Sequence, residues 1–192
     1  MRADVWVLVG LMGWGQAAFG QAAQSRPAKV LTPEQRALQE RTRELDAQRK
    51  SLVEQAKQVF AAEMEREKAG DCPDARTTVD FNICYGKAAD VTDENLKAYE
   101  AAIRGVLGLK YPDSPDGKTT GIAGPELSPE QSAAEFDQVE KMWHEYLEAG
   151  SAVAFHQFDG GTGGPSFGVE TRVRLTRDHL RELHDIYGEL WL

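Results

Sequence analysis

Cysteine is nearly missing from this chain of 192 residues, which has two, Cys72 and Cys84. That excludes a four-thiolate zinc site and limits any disulfide framework to one bridge. Basic residues are also in deficit, with 22 Lys+Arg against 31 Asp+Glu and a formal net charge of -9. Nucleic-acid binding draws its affinity from Lys and Arg that neutralise phosphates, so that class is set aside. Long apolar runs are absent except at residues 5–19, which are fewer than the roughly 20 a membrane span needs. No segment alternates with the period of two that marks a half-buried strand, so a sheet protein is excluded and the expected fold is all-α. Glycine and proline are missing altogether from residues 34–69, a stretch otherwise free to run as one helix.

The N-terminal run has the layout of an export signal. Arg2 precedes it, and the small residues Ala17-Ala18-Phe19-Gly20-Gln21-Ala22-Ala23 close it. This suits cleavage near Gly20 or Ala22 and a periplasmic or secreted destination. No cysteine lies near the cleavage zone, so lipid attachment there is excluded. The division expected is a signal peptide at 1–20, a linker at 21–31, a long N-terminal amphipathic helix at 32–69 and a small helical domain at 70–192. Removing residues 1–20 takes away Arg2 and Asp4 together and leaves the net charge at -9. An acidic surface aids solubility and steers basic partners toward it.

Thr32-Pro33-Glu34-Gln35 is a helix start, with an N-cap Thr, Pro in the first turn and a Gln placed to bond back. Leu31, Leu38, Leu45, Leu52 and Val59 then recur every seven residues, but polar residues fill the second core position of each heptad. A coiled coil needs both positions apolar. The single stripe predicts a helix clamped to its own domain or to another copy, so self-association through residues 33–69 is one expectation. Thr77 or Thr78 is expected to cap a short helix that weakens at Gly86, and Thr92 to cap a separate one carrying Leu96, Tyr99, Ile103 and Val106. That helix should fade around Gly108, and residues 111–127 are expected to form a mobile loop. Ser128-Pro129-Glu130-Gln131 repeats the start signal and opens a helix with Phe136, Val139, Trp143, Tyr146 and Gly150 on one face. Residues 151–158 are ambiguous. Residues 159–165, rich in glycine and ending in Pro165, are expected to be irregular. A last helix aligns Val173, Thr176, Leu180, Leu183, Tyr187 and Leu190.

Candidate chemistry is thin. Gly164-Pro165-Ser166-Phe167-Gly168 fits the pattern of a serine-hydrolase elbow, but that motif needs a strand-to-helix turn and no strand precedes it. His144 and Glu148 share a helix face without an evident third ligand, which favours a solvated polar face. His179 and His184 diverge by roughly 140° on a helix of about 3.6 residues per turn. No enzyme activity, cofactor or metal is expected. Cys72 and Cys84 lie too far apart in sequence for a thioredoxin-like redox pair, and the export signal points to an oxidising compartment, so a structural disulfide is the reading.

The order of several residues resembles one family, the lysozyme-inhibitor LprI-like domain of bacterial secreted and envelope proteins. These residues are Cys72, Asn82, Cys84, Ala89-Asp90, Leu96, Tyr99, Trp143, Tyr146, Gly160-Gly161-Thr162 and Leu175-Thr176-Leu183. The match spans roughly residues 71–190 and leaves the long helix outside. Two departures stand out. Leu147 replaces an arginine usual in the family, with His179 at another, and a second cysteine pair is missing. The resemblance implies a helical protein-binding module, with a basic lysozyme-type muramidase as partner. A protein inhibitor needs an element that enters a sugar-binding cleft. The segment 158–167 is the candidate, with Phe158 and Phe167 flanking Asp159, Gly160, Gly161, Thr162 and Ser166.

Overall fold

A computed structural model describes residues 31–112, 127–158 and 161–188. The expected signal peptide, most of the linker, most of the 111–127 loop, and Asp159, Gly160 and Leu190 lie outside the described residues. The chain forms four helices, α1 (Pro33–Ala69), α2 (Thr78–Leu107), α3 (Pro129–His156) and α4 (Gly164–Tyr187), and no strand among the described residues. The fold is an all-α bundle, and none of these helices is long and apolar enough to cross a membrane. Cys72 and Cys84 form a disulfide with their Cα atoms 5.9 Å apart.

Local chemistry sets the boundaries. Thr32 and Ser128 each accept a backbone bond from a Gln three residues on, whose side chain returns one to the cap. Thr77 and Asp80 make the same reciprocal pair at the start of α2. Each box satisfies two of the backbone donors that a helix start leaves free. α1 stops at Gly70, whose φ of 80° lies in the left-handed region that favours glycine. Its 37 residues make a rod of about 55 Å.

α2 is central and touches the other three helices. The core joins Val53 and Ala56 of α1, Leu96, Tyr99, Ile103 and Val106 of α2, Phe136 of α3, and Leu180 and Leu183 of α4. α1 therefore belongs to the same core as the rest. Leu45 is buried, and Leu52 and Val59 of its heptad stripe pack against that core. Gly105 leaves room for the Leu52 side chain of α1, whose Cδ1 lies 2.9 Å from where a Cβ would stand.

Four local expectations are corrected. The break at Gly86 does not occur, and α2 runs on through it. Thr92 caps nothing, being buried in mid-helix with its hydroxyl 2.9 Å from the Ala88 carbonyl and 3.0 Å from Glu63 Oε1. Bonding to Glu63 of α1 and to the Ala88 carbonyl of its own helix outweighs the tendency of threonine to start a helix. On α3 the inward face is rotated from the one expected. Phe136, Glu140, Leu147 and Ala154 are buried, whereas Val139 and Tyr146 are exposed. The fourth correction concerns the glycine run. Residues 151–156 continue α3, and α4 already begins at Gly164 with Pro165 in its first turn. A Cβ at Gly164 would meet the Phe155 carbonyl at 3.1 Å, and one at Gly168 would meet Phe155 Cβ at 3.0 Å. The glycines serve a close helix crossing rather than a long loop.

Candidate functional site

Four places on the bundle bring chemistry-bearing side chains together. The first is the turn between α3 and α4, where sequence placed the cleft-entering element. Gly161 N–H donates to the Phe158 carbonyl at 2.7 Å and Gly164 N–H to the Gly161 carbonyl at 3.1 Å. The rings of Phe158 and Phe167 meet edge to face, with centroids 5.1 Å apart. Ser166 and Phe167 lie in the first turn of α4, and Ser166 Oγ donates to the Gly163 carbonyl at 3.1 Å. Gly161 and Thr162 are exposed, and Asp159 and Gly160 lie outside the described residues. The two aromatics thus close on each other across a tight turn. Ser166 lies inside a helix, with no strand among the described residues, so the strand-to-helix turn that the elbow pattern needs is not formed there.

The second place lies beside the disulfide. Glu63 is fully buried, and its carboxylate accepts from Arg177 Nε, Arg66 Nη1 and Asn95 Nδ2, each at 2.7 Å. Arg177 reaches onward to Asp71, donating from both terminal nitrogens at 2.7 Å, and Arg66 Nη2 adds a bond at 3.1 Å. Burial pushes the Asp71 carboxyl up, but hydrogen bonding and charge from Arg177, helped by Arg66, win and hold it below its ordinary value. This latch ties the end of α1, the segment after Gly70, α2 and α4 together. A depression of about 600 Å³ opens next to it, lined in part by Asp71, Cys72, Pro73, Ile83 and Val91.

The third place joins α2, α3 and α4. Glu140 and His179 are both buried, and His179 Nε2 lies 2.8 Å from Glu140 Oε2. His179 Nδ1 lies 3.2 Å from Glu182 Oε2, and the Trp143 ring stacks on the imidazole at 4.0 Å and 8°. Glu100 of α2 completes the group, and His144 Nε2 sits 3.1 Å from Glu100 Oε1. Burial first, and the Glu140 charge second, push the Glu100 carboxyl up to about 8. Glu140 Oε1 is buried with no donor on it. His144 and Glu148 both keep solvent exposure, as expected of a polar face, but each has a partner on another helix. His144 turns to Glu100, and Glu148 accepts from Arg172 Nη1 at 2.5 Å. His179 and His184 do diverge, the latter stacking on Phe60 at 4.0 Å. The signal for this cluster was hidden, because its carboxylates come from two other helices and only the bundle's register aligns them.

The fourth place is the outer face of α3. Val139, Met142, Tyr146 and Val153 are exposed along one stripe, with spacings of three, four and seven. Ile186 of α4 is exposed too, and lines one shallow depression with Val139 and Met142. On the exposed surface of α3, Glu130, Glu135, Asp137, Glu145 and Glu148 outnumber Lys141, while Lys110, Arg104 and Arg172 from elsewhere in the chain pair with Glu130, Asp137 and Glu148. No family model, curated protein or solved structure matches this chain.

Proposed function

We propose that the chain is an extracytoplasmic protein-binding module that acts by surface contact on a basic partner, of which a lysozyme-type muramidase is the first to test. The observation that carries this reading is the exposed apolar stripe of α3 within acidic surroundings. Exposed apolar side chains that line up on one face mark interaction surfaces more often than scattered ones do. Carboxylates around such a stripe favour a partner of opposite charge and speed its encounter at low salt. The Cys72–Cys84 disulfide supports an oxidising compartment. The residue pattern that resembles the LprI-like domain supports the muramidase as first partner. The segment 158–167 stays the alternative contact element, since Gly161, Thr162 and the edges of Phe158 and Phe167 are exposed.

Cell-wall turbidity assays with several basic muramidases, with and without equimolar chain, test it. The expected outcome is slower lysis by at least one of them, relieved by Tyr146→Asp with Met142→Asp. Substitution of Thr162 and Phe167 in place of the stripe residues separates the two contact elements. Unchanged lysis throughout, together with no salt-dependent binding to any of the enzymes, would sink the reading. The structural alternative, assembly through α1, draws little support, because Leu45, Leu52 and Val59 already pack within the chain's own core.

A further inference from the structure

We propose that Glu100, Glu140 and His179 form a binding site for one divalent transition cation of the zinc class, with His144 placed to join at its open edge. This is independent of the binding-module reading. One carboxylate oxygen from each glutamate and one imidazole nitrogen lie within 4.8 Å of one another. Ligand atoms around zinc sit at about 2.0–2.2 Å from the metal, so side-chain adjustments of about an ångström would close the set.

Three features separate this group from an ordinary acidic cluster. Glu140 Oε1 is buried with no hydrogen bond in place, and the group that faces Glu140 there is a second carboxyl, that of Glu100. A buried carboxylate in that state costs free energy that a cation at its side would recover. Next, His179 presents Nε2 to the carboxylates and Nδ1 to Glu182, 3.2 Å away. A carboxylate on the far nitrogen is the usual device that fixes the tautomer and direction of a metal-binding histidine. Finally, the Trp143 ring lies parallel to the imidazole at 4.0 Å and holds its plane.

The donor chemistry narrows the ion. Mixed imidazole and carboxylate ligands suit zinc and its neighbours, whereas magnesium and calcium prefer oxygen alone and copper(I) prefers sulfur. Access exists from the α2–α3 side, where Lys97, Glu100, Arg104, Glu140 and His144 line a shallow depression. Lys97 and Arg104 at that mouth oppose cation entry, and Arg104 is held aside by Asp137 at 2.7 Å.

Competition between the purified full chain and a chromophoric chelator for Zn²⁺ tests the proposal, with thermal melts in parallel. One equivalent should bind and raise the melting temperature. Glu140→Gln should weaken binding at least about 100-fold, and Glu182→Gln about tenfold, the range seen when a ligand's orienting partner is lost. His156→Ala, which removes an exposed histidine at the end of α3, should change nothing. If the buried substitutions unfold the chain, Co²⁺ added to the unaltered protein gives a second readout. Visible absorption of a low-coordinate site together with quenching of Trp143 fluorescence is expected. Substoichiometric Zn²⁺, affinity insensitive to both Glu100→Gln and Glu140→Gln, or binding abolished by His156→Ala would each overturn the site.

Discussion

Arg177 holds carboxylates from two separate segments with one guanidinium, a task for which lysine has the charge but not the fork. Its removal leaves Glu63 buried and supported by Arg66, Asn95 and Thr92 alone. Breaking a buried ion pair from one side costs about 3–5 kcal/mol. Arg177→Leu should therefore lower the urea midpoint by that equivalent, and a loss under about 1 kcal/mol would show the latch to be idle. Asp71 adds a pH signature. Its carboxyl is held below the ordinary value, so the unfolded chain takes up a proton there more readily than the folded one. Its contribution is complete above about pH 4, the unfolded value, and fades as pH falls through the lower folded one. The stability gap between the native chain and Asp71→Asn should then hold from neutral pH down to about 4 and narrow below it. Urea melts across that range measure it, and a gap that widens in acid would refute the assignment.

At the level of helices, capping chemistry was readable and interruption was not. Thr32, Thr77 and Ser128 each announce a start because the reciprocal bonds need only residues three apart. Gly86 and Thr92 misled because their local preference is worth about 1 kcal/mol or less, which the α1–α2 and α2–α4 contacts easily outweigh. A Cβ at Gly86 meets nothing within 4 Å, so no packing reason requires glycine there. Gly86→Ala should accordingly stabilise the chain by about 0.5–1 kcal/mol, seen as a raised melting temperature. Gly168 is the opposite case, wedged against Phe155 and the Ser151 carbonyl. Gly168→Val should cost about 1–3 kcal/mol by forcing α3 and α4 apart, and a neutral result would show the crossing to be looser than its geometry. The inward face of α3 went astray for a related reason. Val139 and Tyr146 look like core residues, yet Glu140 takes the buried position because His179 awaits it on α4. Periodicity ranks residues by apolarity and cannot see a polar partner that arrives from 39 positions away.

On the scale of the whole molecule, two different fasteners act on one short segment. The disulfide fixes Cys72 to α2, and the neighbouring Asp71 is fixed to α4 through Arg177. A disulfide stabilises mainly by restricting the unfolded chain, about 3 kcal/mol for a loop of this size, provided the folded loop is already ordered. The latch is what orders it. Once Arg177 is replaced, the segment after Gly70 gains freedom in the folded state, and the entropy difference that the bridge exploits shrinks. Replacing both cysteines with serine should therefore cost about 3 kcal/mol in the native background and at least about 1 kcal/mol less alongside Arg177→Leu. The same reasoning makes the effect local, since the Trp143–His179 region at α3 shares no side chain with the latch. Four urea titrations, on the native chain, the cysteine pair variant, Arg177→Leu and the combination, close the cycle. Costs that simply add to within about 0.5 kcal/mol would mean that bridge and latch act independently, and the segment is then ordered by something other than Arg177.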